Sequence, residues 1–302
     1  MEWPDIVNER SRLMTERQNP ASRELDRLST LDALDLIQRE DVCVHRALHA
    51  ARDSIARAID VVAERLARGG RLFYVGAGTS GRLATLDAAE CPPTFQSAPE
   101  QVQAILAGGP EALTRSVEGA EDDAGAAAAE LAERKLDARD VVFGIAAGGT
   151  TPFVHGALDF ARERGAATIF LACVDAEHAP DRADVSIRVL VGPEVLTGST
   201  RLKAGTATKL VLNCVSTLVM TKLGKVYENL MVDVNTRANQ KLVDRGARIV
   251  AEVTGLTYEQ AKQLLFVADG EAKTAIAMHR SKCDAPTARE RLAEARGRLR
   301  DL

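Results

Sequence analysis

Hydrophobic positions are sparse and follow no period over residues 1–28, which therefore read as extended chain or loop. Ser29 followed three positions later by Asp32 resembles a capping box and predicts a short helix over 31–39. Val44, Leu48, Ile55, Ile59, Val62 and Leu66 then recur at three- to four-residue spacing, predicting a longer helix over 41–68 that ends at Gly69-Gly70. The period changes at 71–75, a short apolar run entering a glycine loop. A helical pattern follows to Glu90, where Pro92-Pro93 predicts a break. Further short apolar runs stand at 102–106, 140–147, 167–173 and 185–191. Between them lie an alanine-rich helical stretch ending at Arg134 and a helical stretch over 152–164. The apolar stretch 210–220 is interrupted by Asn213, Ser216 and Thr217. A membrane span needs ~20 apolar residues, so this stretch predicts a buried helix. From Asn235 onward the pattern is helical only, over 236–254, 257–268, 270–280 and 285–300, with Thr257 as an N-cap.

Short apolar strands alternating with helices are the signature of a parallel sheet covered on both faces. Five such strands predict a doubly wound, three-layer α/β domain over 58–222. Residues 1–57 form an N-terminal extended segment and helices before it, and 223–302 a small C-terminal helical subdomain. No internal repeat of solenoid period is present.

Composition narrows the classes of function. Across 302 residues, Lys+Arg number 39 against 43 Asp+Glu, a net charge of -4, and aromatics are 4%. That leaves neither a basic face for nucleic acid nor a base-stacking platform. The five cysteines, Cys43, Cys91, Cys173, Cys214 and Cys283, are scattered without a CxxC pair, which argues against a disulfide framework or zinc cluster and for reduced thiols. The opening residues 1–5 lack the basic-then-apolar build of a signal peptide. A cytoplasmic chain with no nucleic-acid or membrane partner is expected.

Open α/β sheets bind ligands at the carboxyl ends of their strands, so the loops after the first and third strands carry the candidate chemistry. The first, Gly76-Ala77-Gly78-Thr79-Ser80-Gly81, matches GxGxxG. The dinucleotide reading also wants an acidic residue at the tip of the next strand, and 102–106 ends in Ala107-Gly108-Gly109. No Walker sequence is present either. What remains is a glycine loop with two hydroxyls at a helix N-terminus, which suits a phosphate monoester or, more plainly, a strand-to-helix turn with a serine cap. The loop Gly148-Gly149-Thr150-Thr151-Pro152 has the same character. A third hydroxyl-rich segment, 197–206, precedes the buried helix and either binds a sugar phosphate or caps that helix. These segments supply the candidate substrate-binding residues Gly78, Thr79, Ser80, Gly81, Gly149, Thr150, Thr151, Ser199, Thr200 and Lys203.

Candidate acid–base groups are Asp87 and Glu90, one turn apart, and the cluster Glu118, Glu121, Asp122 and Asp123. An acidic cluster at a helix start also serves simply to compensate the helix dipole. His45 and His49 are four apart, but HRALH lacks the glutamate of HExxH and reads as surface, so no metal site is expected. His155, His178 and His279 stand alone.

Longer blocks carry a resemblance: GAGTSGRLATLDAAECPPTF (76–95), VEGAEDD (117–123), GIAAGGTTPFV (144–154), PEVLTGSTRLKAGTATKLVLN (193–213) and GKVYENLMVDV (224–234), with TERQN (15–19) and LSTLD (28–32) near the start. Together they closely resemble the N-acetylmuramic acid 6-phosphate etherases, along nearly the whole chain. The resemblance implies a sugar-isomerase (SIS) fold, a homodimer, no metal or organic cofactor, and cleavage of the lactyl ether of a sugar phosphate to N-acetylglucosamine 6-phosphate and D-lactate. It implies that Glu90 matches the proton donor to lactate and that Glu121 is the second catalytic glutamate, the base at C2. Two departures stand out: family members often carry AASGRTP where this chain has Gly148 and Thr150, and DASECPP where it has Ala89. The lost arginine removes a fixed cation from the phosphate-facing loop. A sugar-phosphate sensor and an aldose–ketose isomerase of the same fold are the competing functions; a sensor has no need of a spaced acid and base, and an isomerase none of an acid at C3.

Overall fold

The computed structural model describes residues 13–237 and 240–302. Residues 1–12, where loop and the absence of a leader were expected, lie outside the described residues, as do residues 238 and 239 of the helix expected over 236–254. Five strands, β1 (Leu72–Gly76), β2 (Val102–Leu106), β3 (Val141–Ile145), β4 (Ala167–Ala172) and β5 (Val185–Arg188), form one sheet in the order β2-β1-β3-β4-β5. The pairs β1–β3, β3–β4 and β4–β5 are parallel, with Val75 opposite Gly144 and Phe143 opposite Ile169. Every residue of β1, β3 and β4 is buried, which is why these strands read as unbroken apolar runs rather than alternating ones.

Helices α1 (Thr30–Ala50), α2 (Arg52–Ala67), α3 (Gly78–Phe95), α4 (Ala126–Glu133), α5 (Pro152–Glu163) and α6 (Lys203–Lys222) accompany the sheet. Helix α5 packs on β3 and β4, and α2 on β5. The core on the α5 side joins Phe73, Ile105, Val142, Phe153 and Phe170. Four shorter helices follow: α7 (Gln240–Thr254), α8 (Tyr258–Val267), α9 (Ala272–Ser281) and α10 (Ala285–Glu294). They have their own core, with α9 buried at every position from Ala272 to Met278. Thr257 and Gln260 close a reciprocal capping box at the start of α8. The chain divides into two compact units: one gathers the described residues through Ala88 with Gln103–Val215, the other Ala89–Val102 with Ser216–Leu302. Among the described residues no helix is long and apolar enough to cross a membrane. All five cysteines are free thiols, and burial pushes Cys173 up to about 12.

Several boundaries differ from those the pattern predicts. The first helix runs through Glu40 and Asp41 to Ala50, because nothing there interrupts the backbone ladder; the break falls at Ala51, whose ψ of 1° leaves the helical range. Pro92 and Pro93 do not end α3, which continues to Phe95 and stops where Gln96 turns left-handed at φ 49° and donates to the Pro92 carbonyl. The alanine-rich stretch is a helix only over Ala126–Glu133, preceded by 3-10 turns at Gly109–Leu113 and Ala120–Asp122. Residues 14–27 also wind into three 3-10 turns rather than loop. The last long helix ends at Glu294, before the left-handed pair Arg296 and Gly297.

The glycines of the first loop serve close packing. A Cβ on Gly81 would overlap Leu106 Cδ1 and stand 2.5 Å from the Gly76 carbonyl oxygen, so only glycine lets α3 start this close to the sheet. Gly81→Ala is expected to destabilise the protein by about 1–3 kcal/mol, the usual cost of overpacking a core, read from the midpoint of denaturant unfolding.

Candidate functional site

From β1 the chain first builds outward to β2, then returns to lay β3 on the other side, so the connections leave β1 and β3 in opposite directions. This opens a crevice at the carboxyl ends of the two strands, the switch point where doubly wound sheets hold ligands. A cavity of about 210 Å³ lies there. The loop after β1 supplies Ala77, Gly78, Thr79 and Ser80 to its wall, and the loop after β3 supplies Ala147, Gly148, Thr150 and Thr151. Thr200, Gly205 and Thr208 reach it from the start of α6, Glu121 from the 3-10 turn Ala120–Asp122, and Leu13 and Glu16 from the N-terminal segment.

Three helix starts therefore border one cavity. Helix α3 opens on it with Gly78, Thr79 and Ser80, and α5 with its N-cap Thr151. Such ends favour anions through their first N–H groups and the helix dipole. The first amides of α6 are engaged elsewhere: those of Lys203 and Ala204 donate to the buried Glu194 carboxylate at 3.0 and 2.9 Å. Burial pushes the Glu194 carboxyl up, against the lowering effect of these two donors. Among the described residues, the wall carries five hydroxyls (Thr79, Ser80, Thr150, Thr151 and Thr200), a sixth on Thr208, two carboxylates and no lysine, arginine or histidine. On this described wall, the groups suited to an anion are hydroxyls and backbone amides.

The structure brings Gly78, Thr79, Ser80, Glu121, Thr150, Thr151 and Thr200 to one wall. Gly81 lies behind it in the helix–sheet contact. The Gly149 amide donates to the Ala146 carbonyl and its own carbonyl accepts from His155 Nε2 at 2.7 Å, so this residue shapes the loop from within. Ser199 sits in the turn before α6, its amide donating to Leu196. Lys203 departs furthest from expectation. It is 2% exposed, and its Nζ lies 2.7 Å from Glu40 Oε2 on α1, where it neutralises a neighbouring carboxylate instead of reaching the cavity. Glu90 lies in the second unit, exposed on α3.

The acidic cluster divides by role. Asp123 Oδ1 accepts the amides of Gly125 and Ala126 and caps α4, Glu118 accepts from the Ser116 hydroxyl, and Glu121 faces the cavity. Dipole compensation and a place on the wall thus both occur within six residues. Asp87 is buried and takes the Tyr74 hydroxyl at 3.3 Å and Lys209 Nζ at 3.6 Å, which makes it a packing residue of α3 rather than an open acid. His49 lies exposed beside Arg52, and His178 pairs with Asp175. Among the described residues no group of three or more His, Cys, Asp or Glu is placed to hold a metal ion.

Pattern reasoning assigned no individual role to Glu16, Asn19, Glu40 or Glu194. The first two lie in a segment without hydrophobic period, the Glu40 partner Lys203 is 163 positions away, and Glu194 caps α6 from nine and ten positions before the amides it accepts, so only the fold reveals them.

The sequence model of the glucokinase regulatory protein N-terminal SIS domain matches residues 54–162. A phosphoheptose isomerase from Francisella tularensis superposes with a TM-score of 0.51 at 18% identity, covering 64% of this chain and all of that one. Sheet order, switch-point cavity and these two likenesses define an SIS-type α/β protein. Curated relatives named N-acetylmuramic acid 6-phosphate etherase extend the match to nearly the whole chain. The one from Gloeobacter violaceus is 58% identical over 291 residues, covering 96% of this chain and 95% of that one. The one from Synechocystis sp. is 53% identical over 296 residues, covering 98% and 97%. The chain belongs to the N-acetylmuramic acid 6-phosphate etherase family.

Burial pushes the Glu40 carboxyl up, but hydrogen bonds from Lys203 and Asn19 and the Lys203 charge outweigh it and hold it below its ordinary value. A carboxylate lowered on folding stabilises the protein above the ordinary glutamate range and loses that contribution as pH falls through the lowered value. Glu40→Gln leaves the Lys203 ammonium buried without its counter-charge. With Glu40 itself 25% exposed, the expected loss at neutral pH is about 3 kcal/mol, the low end for breaking a buried pair. Denaturant midpoints followed into acid should show wild type and variant converging.

Proposed function

We propose that this chain binds N-acetylmuramic acid 6-phosphate in the switch-point cavity and releases D-lactate by elimination followed by addition of water. The observation that carries the reading is a wall that pairs anion-suited helix starts and hydroxyls with a carboxylate, Glu121, in a chain similar over its whole length to relatives named for this reaction. An ether carbon–oxygen bond resists direct hydrolysis. In the ring-opened sugar the C2 proton lies next to the aldehyde and becomes acidic. A base removes it, the C3–oxygen bond breaks, and the lactyl oxygen leaves with a proton from an acid. Water then adds to C3 of the unsaturated aldehyde and a proton returns to C2, giving N-acetylglucosamine 6-phosphate. Atoms balance with water as the only co-reactant.

In this reading Glu121 is the C2 base and Glu90 the proton donor to lactate, as the family resemblance implies. Thr79, Ser80, Thr150, Thr151 and Thr200 hold the phosphosugar, with the phosphate nearest the starts of α3 and α5. Thr150 takes the place of the family's arginine, so its hydroxyl replaces a charge. The same resemblance supports a homodimer acting in the cytoplasm.

Incubation with N-acetylmuramic acid 6-phosphate in deuterated water tests the scheme. Wild type should release D-lactate and carry deuterium at C2 of the product. Glu121→Ala should lose both, and Glu90→Ala should lose lactate release while keeping C2 exchange, each by at least about 10²-fold, the low end for a general acid or base. Sugar-phosphate binding without lactate from wild type would overturn the etherase reading in favour of a sensor.

A further inference from the structure

The cavity holds a second carboxylate, Glu16, beside the one the reaction uses. Its segment is fixed on both sides. Leu13 is buried in the core beneath the sheet's helices and accepts the Glu16 amide, and the next residue back from Glu16, Thr15, is fully buried. On the other side Asn19, 4% exposed, donates from Nδ2 to Glu40 Oε2 at 2.7 Å and to the Pro193 carbonyl at 3.1 Å. The opposing backbone leaves room for the carboxylate: Gly198 has φ +75°, and a Cβ there would lie 3.1 Å from Glu16 Oε2.

A carboxylate accepts hydrogen bonds and repels anions, so it cannot serve the phosphate. Because the anion-suited groups sit at the starts of α3 and α5, a ligand whose phosphate docks there presents its sugar body to the rest of the wall. That body is rich in donors. We propose that Glu16 is a specificity-determining residue, whose carboxylate accepts hydrogen bonds from the hydroxyl and amide N–H groups of the bound sugar and favours a donor-bearing sugar phosphate over a bare anion. This rests on the reading of the cavity as a sugar-phosphate site, but not on etherase chemistry.

The test is calorimetric titration of the full chain with N-acetylglucosamine 6-phosphate, glucose 6-phosphate and inorganic phosphate. Hydrogen bonds to a charged group imply that Glu16→Gln weakens binding of N-acetylglucosamine 6-phosphate by about 10- to 100-fold. Inorganic phosphate should bind the variant as well as wild type or better, since a negative charge has gone. Glu16→Asp, which keeps the charge on a shorter stem, should recover part of the sugar-phosphate affinity. An equal loss with glucose 6-phosphate assigns the hydroxyls as donors, and a smaller one assigns the amide. The proposal is overturned if sugar-phosphate affinity is unchanged in Glu16→Gln, if affinity for inorganic phosphate falls in parallel, or if wild type binds neither sugar phosphate. Wild type that binds them yet releases no lactate would sink the etherase reading alone and leave the role of Glu16 standing.

Discussion

A single ammonium group organises much of the first unit. Lys203 is taken almost wholly out of water, and a buried charge is tolerable only when it is paired and its hydrogen bonds are made. Its partner, Glu40, also receives Asn19, and Asn19 in turn ties to the backbone at Pro193. One residue along from Pro193, Glu194 caps the helix that Lys203 begins. Two stretches distant in sequence, the N-terminal strap around Asn19 with α1, and the chain before α6 with the start of α6, are thus locked by one set of charge-assisted bonds. The strap and the start of α6 are walls of the cavity. The shape of the site is in this sense a consequence of where one lysine is hidden.

The same arrangement explains how a wall with two carboxylates and no described side-chain cation can suit an anion. Two of the cations near the site are committed to structure: Lys203 to Glu40, and Lys209 to Asp87. On the described wall, attraction comes from the dipole of α3, the cap of α5 and the hydroxyls, of which Thr79, Ser80, Thr150 and Thr151 are fixed by strand-to-helix turns. Close packing of Gly81 against Gly76 and Leu106 is what brings the start of α3 to the crevice. The GxGxxG spacing is therefore a signature of that packing, shared by ligands of quite different kinds.

How much of this was legible depended on the range of the interaction. Strands covered on both faces produce continuous apolar runs, and β3, for example, falls within the run that the pattern places at 140–147, as Val141–Ile145. The hydroxyl loops were legible for the same reason: Thr79, Ser80, Thr150 and Thr151 follow directly on the strands that aim them. Pro92-Pro93 misled because a proline removes a donor without forbidding the helical φ, and α3 extends a few residues past both before Gln96 turns it. Ala51 carries no local mark of a break at all. Lys203 looked like a phosphate ligand because cation beside hydroxyls is a good local signal, yet its counter-ion lies 163 positions away. The VEGAEDD cluster could not be apportioned by spacing either, since capping by Asp123 and exposure of Glu121 to the cavity depend on how one short turn is laid over the crevice.

These placements also bear on what the site can select and what it can accelerate. In the elimination scheme the phosphate undergoes no change between bound substrate and transition state, so hydroxyl and amide contacts to it stabilise both alike and set affinity. Charge moves at C2 and C3, and only groups facing those atoms lower the barrier. In that scheme, Thr150 in the place of the arginine that the resemblance implies acts on the uniform part of the binding energy, whereas loss of a proton carrier acts on the barrier itself. In the same scheme, a wall that holds phosphate without a fixed cation has less unspecific affinity for any passing anion. Discrimination must then come from the neutral part of the ligand, where donors on the sugar meet acceptors on the wall. In the proposed scheme Glu121 is given to proton transfer, and the carboxylate proposed to read those donors, Glu16, belongs to the segment that the Lys203 lock ties down through Asn19.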